Sequence, residues 1–415
     1  MEAHRATELT ARQSYGKLVA YLAVRTQDVA TAEDALGEAF LTALKTWPAK
    51  GIPRNPEVWL LVSARRKLID QSRRSQTHVK ALKLLNLEGF TQDENDTEFA
   101  ETTISFADER LKLLFICAHP AIDAKLHTPL MLQTVLGLNA AQIASAFLVA
   151  PTTMSQRLVR VKAKIRDAGI SFELPTAEVL EARSQSVLQA IYAAYSTSWQ
   201  SNLNEETGSD LRLSGLTTEA IWLAKLCLKL MPNEPEAHGL LALMLYCESR
   251  RSARRQNGKY VPLLAQDTSL WSQPMIAEAE TALKQAASYK RLGRFQLEAA
   301  IQSIHAQRTT QTASIDWQTL VQLYEGLLQL SPTVGALLGK AAAIAQAKTP
   351  DAGLALLNTL PSKTIQNHQP YWALKAHLLR QTGQLEAAKS AYSQAIGLTE
   401  DISIRNFLLQ QSASM

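Results

Sequence analysis

The stretch LNAAQIASAFLVAPTTMSQRLVRVKAKIR, at residues 138–166, predicts two helices joined by a tight turn. The first helix is expected at 140–147. Its apolar stripe consists of Ile143, Ala144 and Phe147. Pro151 disfavours helix at the residue before it, so the chain is expected to turn there. Thr152 or Thr153 is expected to cap the helix that follows.

The second helix of this stretch has an apolar face and a polar face. Its apolar residues, spaced by four, three and four, are Met154, Leu158, Val161 and Ile165. The residues expected on the outside are Ser155, Gln156, Arg157, Arg160, Lys162 and Lys164. Such a helix suits the major groove of DNA, where these side chains contact base edges and phosphates. A solvated, charged helix on a bundle remains an equal alternative for the hairpin alone.

The length and composition of the chain indicate its number of domains, its fold class and its cellular compartment. At 415 residues with 46% hydrophobic residues, two or three globular domains are expected. Long Ala/Leu-rich segments without a strand pattern predict an all-α fold. The three cysteines, Cys117, Cys227 and Cys247, lack CxxC spacing, so neither disulfides nor a zinc site are indicated. With no signal peptide and no long apolar run, we expect a soluble protein of the cytoplasm, not bound to a membrane.

The N-terminal part predicts three helices. The first is expected at 10–26 and the second, strongly amphipathic, at 28–47. The outward acids of the second helix are Asp28, Glu33, Asp34 and Glu38. They indicate either an ordinary charged face with acids near the helix N-terminus or a surface that docks on a basic or coiled-coil partner.

A proline-rich loop is expected at 48–56, followed by a third helix at 57–74. The basic residues of this segment are Arg54, Arg65, Arg66, Lys67, Arg73 and Arg74, against the acids Glu57 and Asp70. Together with Trp47 and Trp59 they are typical of a surface for single-stranded or distorted nucleic acid. Alternatively, both tryptophans are core residues.

An acidic, polar linker is predicted around residues 86–101, because this stretch holds six acids and no base. It is followed by a helical segment from Asp108 that contains Cys117 and His119. A nucleophile or metal site at this pair is disfavoured, since residues two apart lie on different helix faces. We therefore expect no catalytic residue, cofactor or metal.

From Pro175 onward the pattern predicts helical hairpins. Residues 371–396 match the tetratricopeptide pattern at Trp372, Ala376, Leu379, Gly383, Leu385, Ala388, Tyr392 and Ala395. Weaker units occur at 220–245 and 320–342, and residues 249–272 are expected to form an inserted loop. Repeat arrays of this kind bind proteins or peptides in a concave groove, or serve only to stabilise or dimerise.

The first 170 residues resemble an extracytoplasmic-function sigma factor of the bacterial sigma-70 family. The resemblance is carried by AEDALGEAFLTALKTWP, NPEVWLLVSARRKLIDQSRR and QIASAFLVAPTTMSQRLVRVKAKIR. With DERLKLLFICAHPAI, AGISFELP and the repeats, the chain resembles the sub-group with a tetratricopeptide-like C-terminal extension. This resemblance implies four parts of the chain: region 2 at 1–80, a linker at 81–107, a helix-turn-helix region 4 at 108–175 and an α-solenoid at 176–415.

The resemblance also implies partners and site residues. Core RNA polymerase would contact Glu33, Asp34 and Glu38. The unpaired minus-ten bases of promoter DNA would meet the loop at 48–56 and the basic helix with Arg65, Arg66, Lys67, Arg73 and Arg74. The minus-thirty-five duplex would meet Ser155, Gln156, Arg157, Arg160, Lys162, Lys164 and Arg166.

The expected function is therefore promoter selection for RNA polymerase, without enzymatic activity, and with C-terminal repeats that regulate it or bind a protein partner. The linked modules should bind promoter DNA weakly until polymerase holds both of them. The alternative is an interaction scaffold whose N-terminal half only retains a DNA-binding ancestry.

Overall fold

The computed structural model describes residues 2–74, 106–147, 149–201, 216–309 and 315–415. Across these ranges the regular secondary structure is helical apart from one two-stranded hairpin, so the predicted all-α fold is confirmed. The predicted linker at 81–107 lies almost entirely outside the described residues. The chain divides into two compact units, Met1–Trp199 with Asp210–Met231, and Gln200–Ser209 with Pro232–Met415.

The described part of the first unit contains nine helices. They are α1 (Glu2–Thr26), α2 (Val29–Lys50), α3 (Pro56–Arg74), α4 (Phe106–Cys117), α5 (Ala124–Thr134), α6 (Ala140–Ala146), α7 (Pro151–Asp167), α8 (Ala177–Ser201) and α9 (Leu216–Leu230). No described helix of the protein is long and apolar enough to cross a membrane.

Helix α1 lies at the centre of the first unit. Six consecutive residues, from Leu18 to Ala23, are all buried. Six consecutive positions face all sides of a helix, so neighbouring helices must pack around the whole circumference of α1 at this level. Helices α2 and α3 pack on α1, and so does α4. The three N-terminal helices therefore share one core with the segment that follows the linker.

Helix α2 begins and ends differently from the expected bounds. The Asp28 carboxylate accepts hydrogen bonds from the backbone N–H of Ala30 (2.9 Å) and Thr31 (3.4 Å) as the N-cap. The predicted loop at 48–56 was wrong at its start, because α2 continues through Pro48 to Lys50. Pro48 lies in the last turn of α2. Proline has no backbone N–H to donate, and at this position the missing hydrogen bond affects only the end of the helix. Gly51, with φ 88°, ends the helix and leaves a loop of five residues.

Helices α8 and α9 belong to the first unit, although a boundary was predicted at residue 176. Arg183 of α8 donates a hydrogen bond to the carbonyl of Phe115 at 3.0 Å. The buried Arg110 of α4 forms an ion pair with Glu219 of α9 and lies over the Trp222 ring, 4.9 Å from its centroid. These contacts to α4 explain why the compact unit extends beyond the predicted boundary.

The secondary structure of the described part of the second unit consists of helices and one small hairpin. Its helices are α10 (Pro235–Ser249), α11 (Gln273–Ser288), α12 (Arg294–Ala306), α13 (Trp317–Leu330), α14 (Val334–Ala347), α15 (Pro350–Leu357), α16 (Ser362–Ile365), α17 (Gln369–Gln381), α18 (Leu385–Gly397) and α19 (Ile402–Ala413).

Successive helices of the second unit share layered cores. One cluster joins α12, α13 and α14 through Leu297, Leu320 and Ala336. A second joins α14 to α17, α18 and α19 through residues such as Leu338 and Tyr392. Because α14 contributes to both clusters, the packing passes from each helix pair to the next, as in repeat proteins.

The insertion after α10 is more ordered than the sequence indicated. Strands β1 (Arg255–Gln256) and β2 (Lys259–Tyr260) form an antiparallel hairpin. Its turn residues Asn257 and Gly258 have φ 52° and 73°, the left-handed pair that Asn-Gly supplies at two-residue hairpin turns. The hairpin contacts α19, where Arg255 pairs with Asp401 at 3.1 Å and the Tyr260 ring packs against Phe407.

Candidate functional site

Helices α6 and α7 form the helix pair that the sequence predicted at 138–166. Asn139 and Gln142 cap α6 reciprocally, because each side-chain oxygen accepts the other's backbone N–H, at 2.9 and 3.0 Å. The predicted threonine cap of α7 was wrong, since Pro151 is the first helical residue and Ala150 precedes it without a side-chain cap bond. Phe147 was also misassigned, because it lies just beyond α6 and is 36% exposed.

The predicted apolar face of α7 is confirmed. Its buried members are Met154, Leu158, Val161 and Ile165, and the helix packs on α5 and α6. On the opposite face the exposed residues are Ser155, Gln156, Arg157, Arg160, Lys164 and Arg166. This face presents four cations, a serine and a glutamine to solvent, which is chemistry suited to a polyanion.

Lys162 is the exception to the predicted outward face. Its side chain is only 8% exposed, and its ammonium forms an ion pair with the Glu33 carboxylate of α2. The expectation that Lys162 lies outside was therefore wrong. The reason is that α7 packs with one edge against α2, and position 162 lies on that edge, next to the buried Val161. Two residues predicted to meet different partners, Lys162 and Glu33, meet each other.

Two more polar contacts join α2 to α7 and the segment after it. Arg166 approaches the Asp28 carboxylate at 4.0 Å. The backbone N–H of the buried Phe172 donates to the Gln27 side-chain oxygen at 3.3 Å. All three contacts lie at the N-terminal end of α2, where its predicted acidic docking face begins.

The Glu33 carboxylate lies in an unfavourable place for a charge. Burial raises the pKa of Glu33. The neighbouring Lys162 acts to lower this pKa, whereas the negative charges of Asp34 and Asp28 raise it further. Its second oxygen, Oε1, has no hydrogen-bond partner among the described residues. Burial, with Glu33 and Asp34 nearby, also raises the pKa of Tyr15. Lys162 thus compensates part of the cost of burying this carboxylate.

The other predicted polymerase contacts remain on the surface. Asp34 and Glu38 are exposed, and Leu41, one turn beyond Glu38, has an exposed fraction of 58%. Glu38 pairs with Lys67 of α3 at 3.3 Å, with both side chains about half exposed. An exposed pair of this kind contributes little to stability and separates easily.

The predicted basic helix is α3. Arg66 is exposed, and Arg65 and Lys67 are half-buried on its surface. The side chains of Arg73 and Arg74 lie outside the described residues. Trp47 is only 2% exposed and meets Trp59 edge to face, with ring centroids 5.5 Å apart. Trp47 is therefore a core residue and has no free face on which a base could stack.

Cys117 does not have the surroundings of a nucleophile. The thiol is buried and lies 3.5 Å from the Thr134 hydroxyl. Burial raises its pKa to about 12, whereas a reactive thiol needs a lowered pKa. The neighbouring His119 accepts a hydrogen bond from the backbone N–H of Ala121 at 3.2 Å. Within the part of the chain that the structure describes, no group of His, Cys, Asp and Glu could hold a metal ion.

Comparison with known proteins gives this arrangement its context. Sigma-70 region 2 matches residues 11–78, a span that contains α2, α3 and most of α1. The N-terminal part of the chain is therefore similar to region 2 of the sigma-70 family, which supports a relationship to that family. That family consists of transcription factors without enzymatic activity, and region 2 implies core RNA polymerase as a partner.

Two further similarities extend beyond region 2. Residues 183–287 of the chain match a family of unknown function, DUF6596. An uncharacterized protein of Rhizobium meliloti is 36% identical over 404 residues, which cover 96% of this chain and 92% of the relative. Both halves of the chain are therefore shared with that relative, and the two proteins belong to one family.

Sequence reasoning missed the residues that hold α5–α7 against α1 and α2. Gly16 is among them, since a Cβ added there would clash with the carbonyl oxygen of Val135. The signal was present, because a glycine inside a helix weakens it by about 1 kcal/mol and usually has a packing reason.

Proposed function

We propose that this protein is a promoter-specificity subunit of bacterial RNA polymerase of the extracytoplasmic-function type. The observation that carries the proposal is the order of two surfaces along the chain. Region 2 comes first, and the helix pair α6–α7 with its exposed basic face follows. A helix-turn-helix places its second helix in the major groove, and α7 has the side chains for that contact.

Each surface receives a separate role. The face of α2 with Glu33, Asp34, Glu38 and Leu41 docks on core polymerase. The loop after Gly51 and the basic side chains of α3 contact the opened minus-ten element. The outward face of α7 contacts the minus-thirty-five duplex, with Arg157 and Arg160 at base edges or phosphates. Since neither DNA surface is large, promoter specificity requires polymerase to hold both.

The second unit is assigned a regulatory role. Helices α17 and α18 form an antiparallel pair around Gly383, whose φ is 76°. Ala376, Ala388 and Tyr392 are buried between them and their neighbours, at positions of the tetratricopeptide pattern. A tetratricopeptide-like array that binds a protein or peptide could transmit a signal to the sigma-factor half.

The test is run-off transcription with core polymerase and a library of genomic promoter fragments. We expect promoter-dependent transcripts that require this protein. Arg157→Ala should lower promoter binding of the holoenzyme by about 1 to 3 kcal/mol if the side chain reads a base. If it contacts a phosphate, the loss should be uniform across sequences and the salt slope should fall by roughly one.

The matched control is Lys284→Ala, which removes an 82% exposed lysine of α11 in the second unit. It should leave promoter binding unchanged. Absence of a promoter-dependent transcript from every fragment would overturn the proposal. Normal transcription by Arg157→Ala and Arg66→Ala would instead favour the interaction scaffold.

A further inference from the structure

We propose that the docking of α7 on α2 is a closed, self-inhibited state, in which Lys162 occupies the carboxylate that polymerase would otherwise contact. Polymerase binding at α2 and the Glu33–Lys162 pair are then mutually exclusive. This inference rests on the proposed function, because it requires polymerase to bind the acidic face of α2.

Charge complementarity is the first support. The N-terminal end of α2 carries Asp28, Glu33 and Asp34, and α7 brings Lys162 and Arg166 to two of them. A basic or coiled-coil partner that recognises the acids of α2 would need the same carboxylates. The closed arrangement therefore places an internal cation where the partner's cation would bind.

The nature of the ion pair supports exchange of partners. Both charged groups are largely buried, with side-chain exposures of 8% and 17%, and Glu33 Oε1 lacks a hydrogen bond from the described residues. A buried pair with an unsatisfied oxygen adds little net stability, yet it penalises any state that leaves one partner buried alone. It fixes the position of α7 and can be replaced by another cation.

A second contact, independent of charge, points to the same arrangement. Gly16 of α1 lies against the backbone between α5 and α6, where an added Cβ would clash with the carbonyl oxygen of Val135. At Gly137, in the same turn, a Cβ would come within 3.0 Å of the Tyr15 ring. Contacts this close form only when α5–α7 are seated on the N-terminal helices.

The contacts differ in how readily they separate. Helix α4 packs on α1 through an apolar core that includes Leu111, Leu114 and Phe115, all buried. Three polar contacts join α2 and the residues before it to α7 and the segment that follows it. Release of α7 from α2 therefore exposes charged groups that water solvates well, whereas separation of α4 from α1 would expose core residues. Opening is expected at the α2–α7 contact.

The experiment uses the full chain and two pairs of variants. Gly16→Ala should force α5–α7 off α1, and its control is Gly335→Ala in α14, where an added Cβ has no neighbour within 4 Å. Lys162→Met removes the internal cation, and its control is Lys125→Met at an exposed position of α5. The second pair keeps the test decisive if Gly16→Ala does not fold.

Two quantities are measured for each variant. Spin labels at Lys45→Cys and Val159→Cys report the distance between α2 and α7 by electron-spin resonance. The native thiols are poor competitors for the label, since burial raises the pKa of Cys117, Cys227 and Cys247. The affinity of the protein without spin labels for core polymerase is measured in parallel by isothermal titration calorimetry.

We expect a single short distance in the wild-type protein and in both controls, and a longer, broader distribution in Gly16→Ala and Lys162→Met. If the open form of the wild type is populated at about a tenth or less, the two opening variants should bind polymerase about tenfold more tightly or better. The controls should bind like the wild type.

The possible failures are distinguishable. A broad distance distribution in the wild type, or unchanged polymerase affinity in variants that the labels report as open, overturns the inference and leaves the proposed function standing. No polymerase binding by any variant, open or closed, overturns the proposed function and the inference with it.

Discussion

His305 of α12 is 8% exposed and meets the Trp317 ring edge to face, with ring centroids 6.2 Å apart. Burial lowers its pKa to about 4, and the charges of Arg250 and Arg308 act in the same direction. Its Nδ1 has no hydrogen-bond partner among the described residues. A neutral imidazole fits this site, and an imidazolium does not.

The free energy of unfolding should therefore depend on pH through His305. Between an ordinary pKa of about 6.5 and the lowered value, the unfolded chain binds a proton that the folded chain does not, so stability present above pH 6.5 is lost as the pH falls toward 4. The loss attributable to His305 should approach roughly 3 kcal/mol. Urea unfolding of the full chain from pH 4 to 7 measures it.

His305→Leu is the comparison for this prediction. It removes the titrating group and keeps a side chain of similar bulk, so its unfolding free energy should fall less steeply over the same pH range. Parallel pH profiles for the two proteins would show that His305 does not titrate as its burial predicts.

At the scale of single elements, α19 is held at its first turn by one carboxylate with two functions. Asp401 accepts hydrogen bonds from the backbone N–H of Ser403 (2.8 Å) and Ile404 (3.1 Å), and it pairs with Arg255 of the hairpin. Asp401→Ala removes the cap and the ion pair, and it should destabilise α19 by about 2 kcal/mol or more.

Asp401→Asn separates the two contributions, because asparagine caps a helix about as well as aspartate but carries no charge. Its effect should be clearly smaller than that of Asp401→Ala. Hydrogen exchange of the α19 amides measures both variants. Equal losses in the two would assign the stabilisation to the ion pair and not to the cap.

Helices were predictable from sequence to the extent that their own periodicity determines them. Met154, Leu158, Val161 and Ile165 marked the buried face of α7 correctly, because spacing alone decides which residues share a face. Lys162 could not be placed in that way, since its burial depends on α2, which is more than a hundred residues away in sequence. The Asn257–Gly258 turn was a local signal for a hairpin and was readable.

On the scale of the whole molecule, the compact units do not follow the boundary expected at residue 176. Helices α8 and α9 cover α4 and α5 through Arg183, Ser186 and Glu219, and His127 lies 3.2 Å from the Ser186 hydroxyl. A chain cut at 175 would leave Arg110, which is 3% exposed in the intact protein, without its carboxylate partner.

We therefore expect residues 1–231 to form a folded fragment and residues 1–175 to be unstable or to aggregate. The cut removes the Glu219 and Trp222 contacts of Arg110 and the hydrogen bond from Arg183, and it exposes the faces of α4 and α5 that α8 and α9 contact. Circular dichroism melting and size-exclusion chromatography of the two fragments test this. A cooperative transition of equal midpoint in both fragments would show that α8 and α9 are dispensable.

The contact between the hairpin and α19 has a consequence for synthesis. Residues Arg255 and Asp401 are separated by 146 positions, so the hairpin's partner leaves the ribosome only after nearly all of the second unit has been made. Arrays with contacts only between neighbours can fold stepwise from either end. Here the last step waits for α19, and until then the hairpin and the helices beside it remain open to chaperones and proteases.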